Sequence, residues 1–179
     1  MTHLPSLPGD AKLLDVFRAY PETARPLLDY HEVLMRSESP LSEAERELIA
    51  AYVSGLNACD YCAGVHERTA RDFGVEAGLL TDLLNDIETA EVEERMRTLL
   101  SYVAKLTREP ARVSPADARR VLDAGWGEEA LHDAVSVCAL FNFMNRFVSG
   151  LGVSAAEDYF DLSGTRLAQH GYAGLKTLL

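Results

Sequence analysis

Helix start and stop signals punctuate this chain throughout. Between them apolar residues return with helical period, and no convincing stretch alternates with period two. Ser42 with Glu45 three positions on forms a capping box, opening a helix that should run to about Leu56. Pro21 suits the first turn of an earlier helix carrying Leu27, Leu28, Tyr30, Val33 and Leu34 towards Met35, broken by Ser39 and Pro40. Asp10 reads as the cap of a short helix through Tyr20, and Asn57 as the cap of a helix over residues 58–72 that Gly74 ends. Further helices are expected over 76–84 and 91–107. Another starts at Ser114-Pro115-Ala116-Asp117 and stops at Gly125, and two more cover 128–150 and 155–170, the last ending before Gly171. The expectation is an all-α, single-domain helical bundle over 1–179, with N-terminal helices in 1–40, a core in 41–153 and a C-terminal helix in 154–179. Segments 42–73 and 115–150 look loosely alike and each ends in Gly-Val, which suggests an internal duplication.

Charge narrows the function. A net charge of −11 gives no attraction for nucleic acid or an anionic membrane. The most apolar stretch, Ala134 to Leu151, is interrupted by Asn142, Asn145 and Arg146, so it reads as a core helix rather than a membrane span. Met1–Pro5 lack a basic region with an apolar run behind it, and three cysteines in such a context suggest a reducing compartment. A cytoplasmic location is expected.

The chemistry lies in Cys59-Asp60-Tyr61-Cys62-Ala63-Gly64-Val65-His66. At about 100° per residue, Cys59, Cys62, Ala63, His66, Thr69, Ala70 and Phe73 share one side of a helix, and most of the charged residues share the other. Tyr61 is placed on the side away from the thiols. Cys59 lies in the first turn, where free backbone N–H groups and the helix dipole favour a thiolate. Cys62 and His66 are one turn apart, close enough for proton transfer directly or through a water. Once one thiolate has attacked a peroxide or disulfide, the other thiol can resolve the product into an intramolecular disulfide.

Glu47 is ambiguous on periodicity. The apolar stripe of its helix is Leu48, Ile49, Tyr52, Val53 and Leu56, and Glu47 falls opposite with Ala51, Ser54 and Gly55. It reads either as a solvated glutamate or as a carboxylate brought to His66 or Cys59 by a close helix approach across those small residues. Two buried structural cysteines, or a metal held by Cys59, Cys62 and His66, are the competing readings of the thiol pair. No second CxxC or histidine pair completes a ligand set. Haem attachment fails because Ala63 follows Cys62, and a thioredoxin domain would need strands. Cys138 reads as a small buried hydrophobe, and Trp126 as packing over a helix junction or lining a cleft. Asn142, Asn145 and Arg146 read as a structural network or subunit contact, or, for Arg146, as shaping the thiol pocket.

The stretch from Glu47-Leu48-Ile49 to His66, with Phe141-Asn142-Phe143-Met144-Asn145-Arg146 and Leu167-Ala168-Gln169-His170-Gly171-Tyr172-Ala173, resembles the alkylhydroperoxidase D-like family of the carboxymuconolactone decarboxylase superfamily, in its peroxidase-related subgroup. The resemblance implies an all-helical, homo-oligomeric protein. It also implies a peroxidase in which Cys62 attacks, Cys59 resolves, and Glu47 and His66 relay protons. The substrate would be a peroxide or disulfide and the reductant a dithiol or protein, with no cofactor. One departure is Tyr61, where the best-characterised members have a second histidine, so weaker or redirected peroxidase activity is implied. The lactone decarboxylases of the superfamily generally lack the cysteine pair. A non-enzymatic redox-sensing module remains the alternative use of the same thiols.

Overall fold

A computed structural model describes residues 1–179. Nine α-helices follow in order: α1 Leu13–Ala19, α2 Pro21–Arg36, α3 Glu43–Leu56, α4 Asp60–Asp72, α5 Leu79–Asn85, α6 Glu94–Arg108, α7 Pro115–Asp123, α8 Glu128–Gly150 and α9 Glu157–Lys176. A 3-10 turn, Pro110–Arg112, links α6 to α7, and there are no strands. The all-α reading holds. Capping boxes start α3 (Ser42 with Glu45) and α7 (Ser114 with Asp117), and Pro21 is the first residue of α2. No helix is long and apolar enough to cross a membrane.

Several expected boundaries shift. α1 starts at Leu13, where the Asp15 carboxylate accepts the Lys12 N–H, and Asp10 lies before it. α5 and α6 each begin three residues later than expected, the former after a left-handed Gly78. At the C-terminus helical structure continues past His170 through a kink at Gly171. That residue has φ +60°, and a side chain there would meet the Glu32 carboxylate at 2.7 Å, so both conformation and space call for glycine. The same carboxylate accepts the N–H groups of Tyr172 (2.7 Å) and Ala173 (2.8 Å), capping the helical turn beyond the kink.

α3 is the central helix. Every residue from Arg46 to Ser54 is buried, because α2, α4, α5, α6 and α8 surround it. Its apolar stripe enters a core of 36 buried residues that includes Ile49, Val53, Leu99, Leu100, Val137 and Phe141. On the opposite side α3 packs along α4, and Gly55 makes room for Leu84 of α5. α3 and α4 form an extensive pair whereas α7 and α8 touch little, so segments 42–73 and 115–150 do not share one packing arrangement.

α9 closes over α4. A Cβ on Gly164 would fall 2.8 Å from the Val65 carbonyl oxygen and 2.6 Å from the Arg68 stem, and the backbone atom cannot swing aside. Gly164→Ala is therefore expected to lower stability by about 1–3 kcal/mol, the usual cost of forcing extra volume into a packed interface. Urea unfolding measures it, and an unchanged midpoint would mean the α4–α9 contact is slack.

The long apolar helix is buried through polar partners. Asn57 donates to the side-chain oxygens of Asn142 (3.1 Å) and Asn145 (2.9 Å), and Asn145 donates to Ser54 Oγ (2.9 Å). Arg146 is exposed and donates to Asn142, so it belongs to this network and does not line the thiol cavity. Cys138 is fully buried beside Thr107 Oγ1 (3.3 Å), and burial pushes its thiol up. Trp126 packs under the Arg95 guanidinium and donates to the Arg95 carbonyl (2.8 Å).

Candidate active site

The turn from α3 to α4 sets the cysteines. Asn57 ends α3 instead of capping α4, because its amide is drawn to Asn142 and Asn145. Ala58 has φ +52°, a left-handed conformation found at no other non-glycine residue of the chain. The Ala58 and Cys59 N–H groups turn back to the carbonyls of Gly55 (3.0 Å) and Ser54 (2.9 Å), and Cys59 becomes the N-cap residue of α4. Its sulfur thus stands where the first N–H groups of the helix are unpaired.

Electrostatics follows from that position. The Cys59 thiol is lowered from 9.0 to about 6, first by the neighbouring Cys62 thiol, against burial, and then by the Cys62 N–H, Ser149 and Asn145. Cys62 is pushed well above 9.0, first by its bond to Cys59 and then by burial. The two sulfurs titrate as one pair, and the hydrogen bond between them favours the charge on Cys59. Both cysteines are free and buried.

The carboxylate reading of Glu47 is the one the fold builds. Its side chain is 0% exposed and ion-paired on both oxygens. Oε2 lies 2.6 Å from His66 Nδ1, while Oε1 lies 2.7 Å from the Arg36 guanidinium and accepts the Tyr172 hydroxyl at 3.1 Å. Burial alone would raise this carboxyl, but His66 and then Arg36 outweigh it and hold it below the usual range. With Nδ1 engaged by Glu47, the His66 ring nitrogen left over is Nε2. The ring stands edge-on to Phe141 at 4.4 Å between centroids. Arg36, on α2, and Tyr172, beyond the Gly171 kink, complete this site, and sequence periodicity pointed to neither. The signals available for Tyr172 were its place in the C-terminal stretch that carries the family resemblance and the glycine just before it.

Cys62 and His66 share the wall of a cavity of about 60 Å³, otherwise lined largely by apolar side chains such as Leu13, Phe17, Leu28, Val65 and Met144. Space of that size admits a water or a small reactive group. Tyr61 corrects the helical-wheel assignment. It is buried, lines this cavity and bonds to the Tyr159 hydroxyl at 3.1 Å, because α9 covers the side of α4 that would otherwise face water. His31 also lines the cavity. Burial lowers it to about 4, against its bond to the Leu27 carbonyl, so it is neutral at physiological pH. Cys59 is not on this wall; its outer neighbours are Ser149 and Asn145. No three His, Cys, Asp or Glu side chains converge as a metal site requires.

A model of the carboxymuconolactone decarboxylase family matches residues 21–105, which span α2 to most of α6 and include both cysteines, Glu47 and His66. No curated protein matches the sequence closely. Among solved structures, an uncharacterised peroxidase-related protein from Silicibacter sp. TM1040 is 29% identical, with TM-score 0.77 over 83% of this chain and 78% of that one. An uncharacterised peroxidase-related protein with an alkylhydroperoxidase AhpD core, from Ralstonia eutropha JMP134, is 26% identical, with TM-score 0.76 over the same shares. The debrominase Bmp8, solved with 2,3,4-tribromopyrrole, has TM-score 0.71 at 16% identity over 83% of this chain and 79% of its own, a likeness of fold alone.

Proposed function

The chain is carboxymuconolactone decarboxylase-like over residues 21–105 and alkylhydroperoxidase D-like in fold, and on that footing we propose that it is a thiol-dependent peroxidase working through Cys59 and Cys62. One observation carries the reading. Cys62, hydrogen-bonded to Cys59, lies on the wall of an apolar cavity beside a histidine held by a buried carboxylate.

Cys62 is the nucleophile because the cavity opens onto it. As a hydroperoxide enters, the Cys62 proton passes to Cys59, and the Cys62 thiolate attacks the distal peroxide oxygen. The O–O bond breaks, Cys62 becomes a sulfenic acid, and the alkoxide leaves as alcohol with the proton returned from Cys59. The restored Cys59 thiolate then attacks the Cys62 sulfur. The S–O bond breaks, the disulfide forms, and hydroxide leaves as water with a proton passed from solvent through His66. The peroxide is reduced by two electrons and the dithiol is oxidised by two. An external dithiol regenerates the pair by exchange, itself becoming a disulfide.

Mild treatment with cumene hydroperoxide followed by peptide mass mapping tests this. A Cys59–Cys62 disulfide with Cys138 still free is expected, and a dithiol donor should sustain peroxide consumption. If the pair stays reduced under excess hydroperoxide, the proposal fails. A disulfide without turnover would leave a redox sensor instead.

A pH titration supplies a second check. Thiolate absorbance in the ultraviolet should rise with an inflection near pH 6, reporting the shared proton. Cys59→Ser should remove that inflection, and a wild-type onset only above pH 8 would contradict the coupled pair.

A further inference from the structure

The thiol cavity has a doorway, and the doorway carries charge. Leu14 of α1 and Arg166 of α9 line both the cavity and a much wider open groove that runs outward between these helices. The groove holds three charged side chains, Arg18, Asp161 and Arg166, besides the exposed His170. Arg18 donates to the Leu178 carbonyl at 3.0 Å and stands 3.9 Å from Asp15, while Asp161 is held by Arg68 at 3.2 Å. Arg166 is half-buried and makes no ion pair or hydrogen bond with the rest of the chain. It is the one arginine or lysine on the cavity wall, where His31 is neutral and His66 is engaged by Glu47.

A guanidinium at the mouth of an apolar passage matches a ligand with an apolar chain and an anionic end. With a net charge of −11, the chain's long-range field disfavours anions, so a preference for one must come from a local cation. The enclosed space, about 60 Å³ and lined largely by apolar side chains, takes the reacting end and a short apolar chain, which leaves the anionic end at Arg166 where the cavity meets the groove.

We propose that the substrates are organic hydroperoxides bearing a carboxylate on an apolar chain, the carboxylate held by Arg166 at the doorway while the peroxide reaches Cys62. This rests on the peroxidase reading for its chemistry, but the anchoring can be measured without turnover. Octanoate and octanol serve as unreactive probes of equal chain length, with binding followed by titration calorimetry at pH 8. Wild-type protein should bind octanoate roughly tenfold more tightly than octanol, as one charge-assisted hydrogen-bonded contact provides. Arg166→Gln should bring the ratio to about one, and Arg166→Lys should retain part of it. Equal affinity for both probes in the wild type, or a preference that survives Arg166→Gln, would overturn the anchor. If octanoate is preferred through Arg166 but neither cumene hydroperoxide nor a carboxylate-bearing alkyl hydroperoxide is consumed, the anchor stands and the peroxidase reading falls.

Discussion

Cys62→Ser protein should consume hydroperoxide no faster than buffer, a loss of about 10³-fold or more, because a serine hydroxyl is not ionised at neutral pH and cannot attack the O–O bond. Cys59→Ser should behave differently. Cys62 in that variant can still be oxidised once, so a sulfenic acid should form stoichiometrically and then stall, and a sulfenate-trapping reagent should label Cys62. The contrast matters because the two sulfurs present opposed credentials. Cys59 has the lower pKa, near 6, and Cys62 has the cavity. Access decides between them, since the proton is shared and can change sulfur while a peroxide in the cavity meets only Cys62. Labelling at Cys59 in the Cys62→Ser variant, with a matching burst of peroxide loss, would reverse the two roles.

Glu47→Gln should damage both stability and activity. Removing the charge leaves the Arg36 guanidinium, itself 9% exposed, without its buried counter-ion and takes the anionic acceptor from His66. Breaking a buried pair in this way costs about 3–5 kcal/mol. Loss of an oriented proton relay lowers turnover by about 10²-fold or more. The acid side of the stability curve provides a separate signature. The folded carboxyl titrates below its ordinary 4.5, so its contribution is complete above that pH and disappears as pH falls through the lowered value. Denaturant midpoints measured from neutral pH downward should fall less steeply for Glu47→Gln than for the wild type. Parallel curves would show that Glu47 carries no linked proton, and near-normal turnover in folded Glu47→Gln protein would remove it from the relay.

Much of the fold was legible because helix signals are local. Ser42, Glu45, Pro21, Ser114 and Asp117 act within one turn of themselves, and α2, α3 and α7 begin where those residues require. The grouping of Cys59, Cys62 and His66 was legible for the same reason, being a matter of spacing along one helix. Two of the misread boundaries involve residues whose partners are remote in sequence. Asn57 looks like a cap until Asn142 and Asn145 claim its amide, and Gly171 looks like a stop until Glu32 caps the turn beyond it.

Sequence alone determined the helical class, the thiol pair and the imidazole one turn away, because periodicity and capping depend on neighbours a few residues apart. Tertiary structure decided what those groups can do. Glu47, on the side of α3 opposite its apolar stripe, is buried because five helices surround α3. Tyr61 turns from surface to cavity wall because α9 lies across α4, and Arg36 and Tyr172 arrive from the far ends of the chain. Burial and ion pairing arise where distant segments meet, and the pattern of a single helix carries no record of which segment will cover it.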